Sequence, residues 1–128
     1  LTVNVNATQS NTMTMSFSDN SLCDFGTMEA GNSYSKTMTM TVTAPATFSI
    51  SAASKNGGKL VLAPDEVINY SFYFDGTIKD LSNGIVKLVT STSTATNRIY
   101  TLEFVTETLT FAEAGQYTDS LYLMFTTS

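Results

Sequence analysis

The chain has 128 residues, 42% of them hydrophobic, which is enough for one core and fits a single domain over 1–128; 11 acidic and 6 basic side chains leave a net charge of −5. The absence of His and the single Cys exclude a Ser-His-Asp triad, an imidazole metal site and a thiolate cluster, and the scarcity of basic residues excludes the positive face that nucleic acid or anionic lipid requires. Charged residues make up only 13%, so solubility rests on neutral polar groups, supplied densely by Ser and by the strand-forming Thr.

In chain order, the dominant period is two. Leu1, Val3, Val5 and Ala7 alternate with Thr2, Asn4, Asn6 and Thr8. Met13, Met15 and Phe17 repeat the pattern, as do Met38, Met40 and Val42 between threonines, and then Phe48 and Ile50. Each set puts apolar groups on one face and polar groups on the other, the signature of a half-buried strand. Later runs are more apolar: Val67 to Phe74, with Ile68, Tyr70, Phe72 and Phe74 on one face; Ile85 to Val89; Ile99 to Val105, with Tyr100, Leu102 and Phe104; the short Leu109–Phe111 piece; and a last strand with Leu121, Leu123 and Phe125 opposite Tyr122 and Met124.

Turn chemistry separates the runs. Asn56-Gly57-Gly58 predicts a hairpin between its flanking strands. Ala44-Pro45, Ala63-Pro64-Asp65, Asp75-Gly76, Ser82-Asn83-Gly84 and Glu113-Ala114-Gly115 are further breaks, and the polar stretch Ser91 to Thr96 predicts a loop. A short helical turn fits Ile78 to Asn83; nothing longer has a 3.6-residue period. Short strands with turns every 8 to 12 residues predict an all-β sandwich or barrel.

Chemistry-bearing patterns are sparse, and no enzyme activity, metal site or cofactor is expected. Asp65-Glu66 reads as a solvated turn, and Glu103 and Glu107 on a strand stand ~13 Å apart with no cleft implied. Asp75, Asp80 and Asp119 lack the spacing of a twelve-residue calcium loop. The triplets Asn6-Ala7-Thr8 and Asn69-Tyr70-Ser71 match the glycosylation acceptor by composition alone. Cys23 is expected to be reduced, at least partly buried and dispensable. No run of 18 apolar residues predicts a membrane helix. Residue 1 already lies in a strand pattern, which fits a secreted chain with its leader removed and a cytosolic chain equally.

Leu22-Cys23-Asp24-Phe25-Gly26-Thr27 resembles the Leu-x-Phe-Gly segment closing the first strand of the spore coat protein U domain, which also builds the pilins of archaic chaperone–usher pili. Lys36 to Val42, Phe48 to Ala52 with Asn56 to Leu60, and Ile68 to Gly76 are similar to its following strands. Ala114-Gly115-Gln116-Tyr117-Thr118-Asp119-Ser120-Leu121 resembles its terminal Ala-Gly-x-Tyr-x-Asp signature. The resemblance spans nearly the whole chain, with one departure: such domains usually carry a disulfide, and Cys23 has no partner, Thr43-Ala44 standing where a second Cys would be expected.

The resemblance implies an immunoglobulin-like sandwich lacking its last strand, completed first by a periplasmic chaperone at an outer-membrane usher and then by a neighbouring subunit's N-terminal peptide. Backbone pairing gives such strand addition its affinity, and alternate side chains give its register. On this reading residues 1–10 are the donor segment, with Leu1, Val3, Val5 and Ala7 entering a groove edged by Leu121, Leu123 and Phe125, and no strand follows the last. Four such groups give about 5–10 kcal/mol gross, at ~1.5–3 kcal/mol each with Ala7 contributing less. The alternative is that Leu1 to Ala7 is the chain's own first strand in a complete sandwich. The expected role is a structural or tip pilin of an extracellular bacterial fibre. The alternatives are an adhesin of the same fold, with a receptor at Ser91, Thr92, Ser93 and Thr94, and a self-contained secreted module.

Overall fold

The period-two runs become strands in a computed structural model, which describes residues 2–7, 14–18, 29, 31–63, 66–109 and 117–127. Leu1, Cys23, the Leu22 to Thr27 segment, Pro64-Asp65, Phe111 and Ala114 to Gln116 lie outside the described residues. The strands are β1 (Thr2–Ala7), β2 (Thr14–Phe17), β3 (Ser35–Ala44), β4 (Phe48–Ser54), β5 (Lys59–Ala63), β6 (Glu66–Phe74), β7 (Thr77–Lys79), β8 (Val86–Thr92), β9 (Ala95–Thr106) and β10 (Ser120–Thr127). No helix occurs among the described residues. The protein is all-β.

Two sheets share one apolar core, an arrangement consistent with a β-sandwich. The first has the order β1-β10-β4-β8; the second is β2-β3-β9-β6-β5, with β7 added to β6. The alternating residues turn inward as their period requires: Phe48, Ile50 and Ala52 with Leu121, Leu123 and Phe125 from the first sheet, and Met38, Met40, Val42, Ile68, Phe72, Leu102 and Phe104 from the second. Phe104 stacks on Phe72 at 5.2 Å between ring centroids and meets Tyr70 edge-on at 6.0 Å. Each such side chain contributes about 1.5–3 kcal/mol on leaving water. The outer face of the second sheet is hydroxyl-rich, with Thr39 directly opposite Thr101.

Three local expectations change. Asn56-Gly57-Gly58 is not a hairpin turn: β4 pairs with β10 and β8, whereas β5 pairs with β6, so this segment carries the chain from one sheet to the other. Ile78 to Asn83 forms no helical turn. Asp75 and Gly76, at φ 49° and 83°, reverse the chain so tightly that Thr77–Lys79 pairs back on Phe72–Phe74. The loop expected over Ser91 to Thr96 shrinks to Ser93-Thr94, because β8 runs on to Thr92 and β9 begins at Ala95. Threonines at both ends extend the ladders through a stretch that composition alone marks as polar linker.

Candidate functional site

The edge of the first sheet brings the two ends of the described chain together. β1 lies beside β10 and runs parallel to it, with Val3 opposite Leu121, Val5 opposite Leu123 and Ala7 opposite Phe125. Leu121, Leu123 and Phe125 are wholly buried, whereas Tyr122 is exposed. On its other side β10 is antiparallel to β4, Leu123 facing Ala52 and Phe125 facing Ile50. β10 is thus hydrogen-bonded along both flanks, and β1 is the outermost strand. An uncovered β10 would present unpaired N–H and C=O groups beside an apolar core, the exposed edge that sheet proteins avoid. The covering strand belongs to the same chain in this structure. Of the residues predicted for this edge, Val3, Val5, Ala7, Leu121, Leu123 and Phe125 come together on paired strands.

One side chain at this edge has a role that the sequence did not disclose. Asp119 immediately precedes β10 and is 3% exposed. No cation offsets its charge in the contacts described; four donors do. The Ser54 and Tyr70 hydroxyls donate to Oδ2, each at 2.5 Å, and the backbone N–H groups of Asn56 and Ser120 donate to Oδ1 at 3.0 and 2.8 Å. Ser54 Oγ also accepts from the N–H of Gly58 at 2.8 Å. A buried carboxylate is tolerated when hydrogen bonds replace its lost water, and bonds to a charged acceptor are the stronger kind.

The network joins two crossings between the sheets. Residues 54–58 leave β4 for β5. Thr118 bridges to Val61 beside the second sheet before Ser120 enters the first, and Lys55 N–H donates to the Ser120 carbonyl at 2.8 Å. Asp119 thereby holds in place the segment from which β10 starts. Its legible signal was its place in the Tyr-x-Asp motif; its donors lie as far as 65 residues away in sequence, beyond what local pattern can show.

The remaining sequence candidates do not converge here. Ser91 and Thr92 end β8, and Ser93 and Thr94 are exposed in the short link to β9. Asn69 is exposed and donates through its amide to Glu107 at 2.8 Å. Among the described residues no group of three or more His, Cys, Asp or Glu is placed to hold a metal ion, and no helix is long and apolar enough to cross a membrane. The structure therefore defines an all-β, two-sheet protein whose last strand is flanked in parallel by its first. Neither a protein-family model nor a curated protein sequence matches the chain.

Proposed function

We propose that this chain is a structural subunit of an extracellular bacterial fibre. On this reading its fold is an immunoglobulin-like, pilin-type sandwich, and its work is strand-mediated assembly rather than catalysis. The observation that carries the reading is the β1–β10 pair: an alternating strand laid along the edge of a wholly buried apolar row, in unbroken register from Thr2–Ser120 to Ala7–Phe125. Such a strand contributes backbone hydrogen bonds at one edge and can be supplied by another copy without rebuilding the core. Its partners are neighbouring subunits and, during passage through the periplasm, a chaperone and an outer-membrane usher.

A second reading is favoured by one specific observation: the strand covering β10 comes from the same chain, as in a self-contained module. Val5→Asp separates the two. It places a carboxylate at the register position of Leu123, whose side chain is fully buried. An unpaired charge there costs several kcal/mol. If β1 is exchanged between copies, the parent chain forms polymers by electron microscopy, whereas the variant folds when a synthetic peptide of residues 1–10 is supplied but forms none; a parent chain that stays monomeric at high concentration favours the self-contained module. Polymers of normal length from the variant, or no folded protein even with the peptide, defeat the assembly reading.

A further inference from the structure

At the opposite margin of the molecule, a cleft of ≈ 300 Å³ opens between the two sheets, its wall including Phe74, Lys79, Leu88, Val89, Arg98 and Tyr100. This volume lies at the small end of ligand pockets. Strand geometry explains the placement of its two cations. Lys79 pairs with Phe72, whose side chain is buried, so it shares that inward face. Arg98 is two residues before the buried Tyr100 on β9 and therefore has the same facing. A bulge interrupts the β3–β9 register between Val42 and Ala44, and Asn97 adopts φ 47° immediately before Arg98. Bulges of this kind redirect side chains at sheet margins. Two of the six basic residues in an acidic chain thus line one inter-sheet cleft.

Tyr100 supplies the independent observation. It is 6% exposed, and its ring stacks on Phe74 at 5.1 Å. Its hydroxyl is buried without a hydrogen-bond partner among the described residues. Buried polar groups are nearly always satisfied, and leaving one orphaned destabilises a fold that a phenylalanine would serve as well. An ammonium, a guanidinium and a phenolic O–H are all donors. Phe74, Leu88 and Val89 offer apolar surface beside them, while Thr77 adds a hydroxyl to the lining and Asp75 a carboxylate whose Oδ1 accepts from the Thr101 N–H at 2.7 Å. A bare inorganic anion would leave that apolar wall wet.

We propose that this cleft binds a small organic carboxylate with an apolar face, of the size and kind of a hexuronic acid residue. The carboxylate meets Lys79, Arg98 and the Tyr100 hydroxyl, and the carbon skeleton packs on Phe74, Leu88 and Val89. The site does not depend on how β1 is used. The competing account is that Lys79 merely guards the edge strand β7 with an inward-pointing charge.

The test is a nuclear magnetic resonance titration of the full chain with sodium glucuronate, beside glucose and sodium sulfate. Glucuronate should produce saturable shifts at residues 74–79, 88–89 and 98–100, with a Kd on the order of millimolar. Tyr100→Phe should weaken binding about tenfold while leaving the thermal midpoint equal or higher, because it removes an orphaned hydroxyl. Arg98→Met should weaken binding at least as much. Equal binding of glucose or sulfate, absence of saturation, or unchanged affinity in Tyr100→Phe would overturn the proposal.

Discussion

Replacing Asp119 tests whether one buried carboxylate secures both sheet crossings. Asp119→Ala removes the acceptor of four hydrogen bonds, those donated by the Ser54 and Tyr70 hydroxyls and by the N–H groups of Asn56 and Ser120. At about 1–3 kcal/mol per lost bond the loss sums to ~4–12 kcal/mol, and water entering the space favours the lower half of that range. A domain of this size is stable by about 5–15 kcal/mol in total, so the alanine variant should be largely unfolded. Asp119→Asn keeps the shape and one carbonyl oxygen, which retains the two N–H donors. Its amide nitrogen then faces two hydroxyls that formerly donated. Losing charge assistance and redirecting those two bonds should cost about 2–4 kcal/mol. Urea denaturation followed by tyrosine fluorescence measures both, and Tyr70→Phe combined with Asp119→Asn should be less than additive because the two residues share a bond. If Asp119→Asn lay within about 0.5 kcal/mol of the parent, the carboxylate would not be what fixes these crossings.

Leu123→Ala should destabilise by about 2–5 kcal/mol, since Leu123 is wholly buried between the sheets; chemical denaturation reads this directly. Gly76→Ala should cost about 1–3 kcal/mol through the backbone alone, because Gly76 sits at φ 83° and an added Cβ meets nothing within 4 Å; a thermal melt measures it, and an unchanged midpoint would refute the turn assignment. Asp80 should titrate below the ordinary carboxylate value by nuclear magnetic resonance, chiefly because the Ser82 hydroxyl and then the Ser82 N–H donate to it. The sign follows: its contribution to the turn is present above the unfolded-state value and is lost as pH falls through the folded one.

Alternation placed nearly every inward residue correctly. Met38, Met40, Val42, Ile68, Tyr70, Phe72, Leu121, Leu123 and Phe125 are all buried, because period two and a one-sided core leave a strand little choice. Strand partners were less legible. Asn56-Gly57-Gly58 has hairpin composition, yet what decides its course is a carboxylate 63 residues downstream that binds the Asn56 N–H. Ile78 fell in a short mixed segment with no period, and the tight reversal at Asp75-Gly76 settled it by pairing β7 to β6. The edge strand was legible as a strand, while its parallel direction was not, since alternation is identical read either way. Tyr100, Lys79 and Arg98 carried no motif at all; the sheet margin assembles them from β7 and β9.

Parallel pairing of β1 with β10 also sets up a competition. Only the short stretch between Ala7 and Thr14 separates β1 from β2, so the strand is tethered close to the edge it covers. A segment linked so closely along the chain acts at an effective concentration in the millimolar range. A second copy at micromolar concentration is therefore outcompeted about a thousandfold if both strands bind with equal intrinsic affinity. Exchange between molecules then requires a strand that fits better, a protein held in the open form until its neighbour arrives, or local crowding of subunits. Dilute solutions should hold closed monomers whatever the strand's eventual use, and the rate at which a labelled 1–10 peptide displaces β1 becomes a direct measure of how tightly the chain guards its own edge.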